Sequence, residues 1–176
     1  MIKPILAGIL AAFLVIGGAM LNNAMAHGDA GHDYPEARSY TVSANATADV
    51  DAAFDRASQN DKRVLLVMGA NWCHDSRALA GWLATERFEA LVEAKYELVF
   101  VNVGMPQTGD GHNLEIAQRF GVEELPGTPN LLVLTAEGDL VNADTATTWR
   151  NSASRDEDAI YDELATLADV ATPTQS

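Results

Sequence analysis

Three continuous apolar runs constrain the fold of this chain more than any other feature of its sequence. They occupy residues 64–68, 98–103 and 131–134 and are dominated by valine and leucine, with Asn102 as the one polar residue among them. An unbroken run of this kind is typical of a strand that is buried on both faces of a sheet, whereas a half-exposed strand alternates apolar and polar residues. The sequence therefore predicts a sheet with both of its faces covered, and helices are the elements that can cover them.

Amphipathic helical patterns surround these runs. A first helix is predicted from one apolar stripe, and two further helical segments with a break near Thr85 separate the first run from the second. A short helix at 114–120 ends at Gly121, the expected position for a helix-terminating glycine. The stripe of the first helix consists of Val50, Ala53, Phe54 and Ala57, at the spacing of one helical face.

The last part of the chain indicates antiparallel structure. A turn at 136–139 leads to a short strand at 140–141, so a hairpin with the third apolar run is predicted. Ser154 and Glu157 form a capping box, which predicts the start of a final helix. The resulting order α, β, α, β, α, β, β, α predicts an α/β domain with a small mixed central sheet flanked by helices.

Composition excludes several classes of protein. Eleven Lys and Arg residues stand against twenty-five Asp and Glu residues, and the net charge of −14 disfavours binding to a nucleic-acid backbone. The chain has one cysteine, which excludes an intramolecular disulfide and any zinc site that uses two thiolates. The sequence predicts no cofactor and no dedicated metal site.

Residues 1–26 have the pattern of a secretory signal peptide. Lys3 is followed by an apolar run, and Ala24-Met25-Ala26 matches a cleavage site. An uncleaved membrane anchor is the alternative, whereas cleavage would leave no stable membrane span and would place the protein in the bacterial periplasm. Residues 27–46 are predicted to be a flexible lead-in, 47–170 the folded domain, and 171–176 a disordered tail.

The single cysteine stands where the first buried strand gives way to a helix. A thiol at a helix N-terminus faces unpaired N–H groups and the positive end of the helix dipole. Both favour the thiolate, which is the nucleophilic form. Protonated His74 would add to this effect, Ser76 could donate a hydrogen bond to the sulfur of Cys73, and Asp75 would oppose it.

The Trp72-Cys73-x-x-Ser76 turn resembles the active-site turn of the thioredoxin-like superfamily, although that superfamily usually has a second cysteine where Ser76 stands. The Pro-Gly-Thr-Pro sequence before the third apolar run resembles its second landmark, the cis-proline loop. The resemblance spans most of the domain and implies a thioredoxin fold. It implies that Thr128–Pro129 is the cis bond, with Pro126 as the rival, and that Trp72, Thr128 and Pro129 contact substrate.

The departures from the superfamily pattern limit the chemistry. A dithiol enzyme attacks with one cysteine and resolves the mixed disulfide with the other. Ser76 cannot resolve it, and Val67 stands where the superfamily often has a buried carboxylate. Catalysis would therefore rest on Cys73, with Ser76 and His74 assisting, and would depend on an external thiol.

Three functions follow from these residues. The first is thiol–disulfide exchange of the isomerase or deglutathionylation type through Cys73, with protein or small-molecule thiols and disulfides as partners. The second is a non-catalytic module that binds extended peptides. The third is copper handling by Cys73, His74 and a tail containing His27 and His32. Cys73 could also join two chains into a disulfide-linked homodimer.

Overall fold

The computed structural model describes residues 34–171. Its helices and strands follow in chain order: α1 Ala46–Asn60, β1 Arg63–Gly69, α2 His74–Leu83, α3 Glu86–Lys95, β2 Tyr96–Asn102, β3 Gly104–Met105, β4 Asp110–Gly111, α4 Leu114–Arg119, β5 Asn130–Leu134 and α5 Glu157–Asp169. Short 3-10 turns occupy Pro106–Thr108 and Ser152–Ser154.

The central sheet is small and mixed, with the strand order β2-β1-β5. Strand β2 is parallel to β1, and β5 is antiparallel to it. The parallel pair requires a crossover, which α2 and α3 provide. This arrangement confirms the predicted α/β architecture with helices flanking a small mixed sheet.

The apolar runs are continuous because each side of the sheet has its own core. On β1, Val64, Leu66 and Met68 pack into the core that includes α1 and α4. Leu65 and Val67 pack on the opposite face, in the core formed with α2, α3 and α5. Neither face is available to water, so neither face of the strand has polar residues.

Two local expectations need correction. The predicted hairpin after β5 is reduced to a single antiparallel bridge between Leu134 and Leu140. Beyond this bridge the side-chain amide of Asn142, rather than a backbone ladder, bonds the backbone of β5. The last helix begins at Glu157 with Asp156 as its N-cap, whereas Ser154 belongs to the preceding 3-10 turn. The capping-box pattern therefore predicted the helix but not its cap.

The predicted flexible lead-in is wrong for its described part, which packs against the domain. Tyr40 is 1% exposed and lies in the core with α2 and β1. The chain also passes directly over α2 at Gly81, where a built Cβ atom would lie 2.2 Å from the Pro35 carbonyl oxygen. The cause is burial of an aromatic side chain together with the absence of a side chain at Gly81.

The ordered domain starts slightly earlier than predicted, since Asn45 caps α1 by accepting a hydrogen bond from Ala48 N at 3.0 Å. The predicted signal peptide, the first part of the lead-in and nearly all of the predicted tail lie outside the described residues. Within 34–171, no helix combines the length and apolar character needed to cross a membrane.

Candidate active site

Cys73 occupies the N-cap position of α2, directly after the turn that leaves β1. Its backbone is extended, and its carbonyl accepts the first helical hydrogen bond, from Arg77 N at 3.1 Å. The amides of the three residues between them have no partner within the helix, as at every helix start. No side chain at the cap position satisfies them. The sulfur is therefore attached where unpaired N–H groups are available.

The thiol of Cys73 is in contact with the loop that precedes β5. Cys73 Sγ donates a hydrogen bond to the carbonyl oxygen of Thr128 at 3.3 Å. The Thr128–Pro129 peptide bond is cis, the isomer that the resemblance implies for Pro129 rather than for Pro126. Cys73 is only 8% exposed, so its sulfur lies in a recess between the start of α2 and this loop.

Trp72 forms an exposed rim of this recess. It is 50% exposed, which is unusual for a large aromatic side chain. Its indole N–H donates to Gly104 O at 3.0 Å, which holds the ring toward the short β3–β4 hairpin. The exposed ring provides an apolar surface beside Cys73, and its contact with substrate stays a prediction.

Ser76 is fully buried, and its hydroxyl is used differently from the expectation. Ser76 Oγ accepts a hydrogen bond from Ala70 N at 3.4 Å, and among the described residues it is not bonded to Cys73 Sγ. Its carbonyl accepts from the Tyr40 hydroxyl at 3.2 Å. Ser76 thus fastens the turn, and no direct contact with the thiol supports the predicted assistance.

His74 is directed toward a carboxylate. Its Nε2 lies 3.1 Å from Asp75 Oδ2, and its side chain is mostly exposed. Asp75 is largely buried, and its other carboxylate oxygen accepts a hydrogen bond from Ala153 N at 2.9 Å. Asp75 therefore anchors the first turn of α2 to the 3-10 turn Ser152–Ser154, and His74 remains at the surface beside Cys73.

A side-chain clamp that sequence reasoning missed holds the turn before Cys73. The amide group of Asn71 bonds both backbone groups of Tyr40, with distances of 3.2 Å to N and 2.9 Å to O. Asn102 Nδ2 also donates to Tyr40 O, at 3.1 Å. No local pattern indicates these bonds, because they join segments far apart in the chain.

Tyr40 lies close enough to Cys73 to feel its charge and remains a hydrogen-bond donor. Burial raises the pKa of its phenol far above the usual range, the side-chain hydroxyl of Ser76 opposes this rise, and a negative charge on Cys73 adds to it. Tyr40 therefore stays protonated at any physiological pH. Its hydroxyl keeps donating to the Ser76 carbonyl, which holds the first turn of α2 in place.

Metal binding has no support from the described part of the chain. No group of three or more His, Cys, Asp or Glu side chains there is placed to hold an ion. His27 and His32, which the copper hypothesis requires, lie outside the described residues.

The comparisons with known proteins assign this fold and turn to a family. The model of a family described as thioredoxin-like matches residues 45–136, which include Cys73 and the cis-proline loop. The chain belongs to the thioredoxin-like family, and the predicted thioredoxin fold is confirmed.

A solved structure gives a more particular similarity. The disulphide isomerase from Xylella fastidiosa Temecula1 is 31% identical, with a TM-score of 0.66. The match covers 74% of this chain and 96% of the isomerase chain. No curated protein matches the sequence.

Proposed function

We propose that this protein is exported to the bacterial periplasm and catalyses thiol–disulfide exchange through Cys73. Its main reaction is the rearrangement of disulfide bonds in its substrates. The observation that carries the proposal is the position of Cys73 at the N-cap of α2, with its sulfur on the Thr128 carbonyl. The similar structure of a disulphide isomerase supports the same chemistry. The signal-like pattern of residues 1–26 supports export.

The geometry explains how the thiol can be activated. In the thiol form, Cys73 Sγ is the donor to Thr128 O. A thiolate cannot donate, but it can accept hydrogen bonds from unpaired N–H groups in the first turn of α2 and is favoured by the helix dipole. Loss of the proton therefore exchanges one hydrogen bond for others that stabilise the nucleophile.

The reaction has two balanced steps. The Cys73 thiolate attacks one sulfur of a substrate disulfide, a bond from Sγ to that sulfur forms, and the old S–S bond breaks. The leaving thiolate takes a proton from water or stays ionised. A second thiolate, from the substrate itself or from an external thiol, then attacks the mixed disulfide and releases Cys73 as a thiolate.

This scheme favours isomerisation over net oxidation. Ser76 occupies the position from which a second cysteine would resolve the mixed disulfide, and Ser76 is fully buried. The protein therefore stores no oxidising equivalents in an internal disulfide. A free thiol on the substrate can complete the rearrangement, and an external thiol can complete a deglutathionylation.

A refolding assay tests the proposal. The mature protein, without residues 1–26, is mixed with an inactive substrate protein whose disulfides are wrongly paired. It should accelerate the recovery of substrate activity only when a small thiol is present. Cys73→Ala should remove that acceleration completely, whereas Ser76→Ala should retain most of it because its hydroxyl bonds backbone rather than sulfur. Equal acceleration by the parent and Cys73→Ala would overturn the proposal.

A non-catalytic peptide-binding module is the second candidate, and the burial of Cys73 favours it. A cysteine that is 8% exposed, with its sulfur hydrogen-bonded to backbone, is less accessible than a typical nucleophile. Peptide capture by the wild type and by Cys73→Ala with equal affinity, together with no exchange activity, would support this candidate instead.

A further inference from the structure

The distribution of ion pairs singles out two arginines. Most Lys and Arg side chains between residues 34 and 171 pair with a carboxylate: Arg56, Lys62, Arg77, Arg87, Lys95, Arg119 and Arg155. Arg63 bonds instead to carbonyl groups at the end of α5. Arg38 and Arg150 have no ion pair with any acidic side chain in this part of the chain, although acidic residues greatly outnumber basic ones.

Both of these arginines lie beside the cysteine recess. Arg38 Nη1 is 3.4 Å from Asn71 O, in the turn that leads to Cys73. Arg150 lies over Gly127, where a built Cβ atom would be 2.9 Å from its Cδ atom. Gly127 precedes Thr128, which accepts the thiol hydrogen bond. Both side chains are exposed, so their guanidinium groups are accessible to a ligand.

The carboxylates that contact the turns around Cys73 have partners of their own. Glu36 forms a two-point ion pair with Arg77, at 3.0 and 3.2 Å. Asp75 accepts from Ala153 N and lies beside His74. The charges of Arg38 and Arg150 are therefore not cancelled by these two acidic neighbours.

We propose that the site prefers disulfides whose sulfur lies close to carboxylate groups, with Arg38 and Arg150 as the groups that bind those carboxylates. This inference rests on the exchange function proposed above and names its substrate class. An arginine guanidinium suits this task because its N–H groups match the two oxygens of a carboxylate. Glutathione mixed disulfides and acidic polypeptide segments share this chemistry.

The global charge of the protein gives the opposite expectation, which makes the proposal easy to test. A net charge of −14 repels anionic substrates and attracts cationic ones. Screening at physiological salt restricts such effects to about 8 Å. Selectivity at the sulfur is therefore governed by local charges. Arg77 and Asp75, which also lie near Cys73, have partners of their own, so Arg38 and Arg150 are the local charges that no carboxylate within residues 34–171 pairs.

The experiment measures how fast Cys73 forms a mixed disulfide with probes of different charge. The mature protein reacts with oxidised glutathione, neutral 2-hydroxyethyl disulfide and cationic cystamine at one pH and at physiological salt, where the net charge of the whole protein is screened. A fourth probe is a blocked peptide disulfide with glutamates flanking the cysteine. Each rate is divided by the rate of a small thiol with the same probe, which removes intrinsic differences in reactivity.

We expect an anionic probe to react fastest and cystamine slowest, with the difference falling as salt is added. Arg38→Gln and Arg150→Gln should each slow the preferred anionic probe by about 1.5-fold to fivefold, the range for a single solvated charge contact. They should leave the neutral probe unchanged. Preference for glutathione alone would identify small-molecule disulfides, and preference for the peptide alone would identify acidic polypeptides.

Lys95→Gln is the matched control, since it removes one positive charge at the far end of the sheet. Tyr96, the next residue, aligns with the start of β1, whereas Cys73 follows the end of β1. This control should leave all four normalised rates unchanged. Faster reaction with cystamine, or equal slowing of the neutral probe in the arginine variants, would overturn the inference. Failure of every probe to react would overturn the exchange function itself, and the inference with it.

Discussion

At the scale of single residues, the site depends on which partner the Cys73 sulfur has. The thiol donates to one carbonyl oxygen, on the far side of the recess from α2. The alternative partners are the backbone N–H groups at the start of α2. They can donate hydrogen bonds to the thiolate and so stabilise its negative charge. The sulfur can therefore change from a hydrogen-bonded thiol to a nucleophilic thiolate without a second ionisable side chain at hydrogen-bonding distance.

The substitution Ser76→Cys should create the disulfide that the natural chain lacks. Residues 73 and 76 lie at the cap and in the first turn of α2, a spacing that allows disulfide geometry. Under mild oxidation the count of free thiols should fall from two to none, and the variant should oxidise model dithiols. Thiol titration and a dithiol oxidation assay measure this.

Ser76→Ala is the control for that variant. It removes the hydrogen bond from Ala70 N and should cost about 1 kcal/mol of folding stability without any change in redox behaviour. Two persistent free thiols in Ser76→Cys, with no activity, would contradict active-site geometry at this turn and would favour the binding module.

At the scale of elements, the strands and the cysteine position could be predicted, and the supports of the site could not. The three apolar runs are local signals, and the structure has β1, β2 and β5 at those positions. The cysteine before a helical pattern is also a local signal, and Cys73 is the N-cap of α2. The bonds of Asn71 to Tyr40 and of Asp75 to Ala153 join distant segments. Such contacts leave no periodicity in the sequence.

The close approach of the N-terminal segment to α2 gives a prediction about Gly81. In an ordinary helix interior, Gly→Ala stabilises by about 0.5–1 kcal/mol. At Gly81 the added methyl would lie 2.2 Å from the Pro35 carbonyl oxygen, so the backbone segment must move. We expect Gly81→Ala to lower the free energy of unfolding, as measured by denaturant titration.

Ala90→Gly, at an exposed position in α3, calibrates the intrinsic helix effect in the same protein. It should destabilise by about 1 kcal/mol from propensity alone. A stabilised Gly81→Ala protein would show that the segment does not lie against α2 in solution.

At the scale of the whole molecule, one carboxylate between α1 and β2 makes stability depend on pH. Burial acts to raise the pKa of Glu97, but hydrogen bonds from Arg56 and Asn60 and the charge of Lys62 outweigh it, and the pKa is lowered. A lowered folded-state pKa adds stability that is complete above the unfolded value of about 4.3 and is lost as the pH falls through the folded value.

Glu97→Gln should therefore be less stable than the parent at pH 7, by about 1 kcal/mol or less because Arg56 is half exposed. The difference should shrink as the pH is lowered toward 3, and urea titrations across that range measure it. Glu115→Gln, which removes an exposed carboxylate on α4, should show a smaller effect. A difference that grows in acid would contradict the lowered pKa.

The buried Tyr40 also defines the smallest unit that could be exchanged between members of this family. The matched family region begins at residue 45 and ends at 136, yet Tyr40 precedes it, and Ala153, which binds Asp75, follows it. A chimera joined at those two borders would transplant the cysteine while discarding contacts on both sides of α2. A chimera that keeps residues 34–171 together would retain Cys73 and also the contacts of Tyr40 and Ala153 with the first turn of α2.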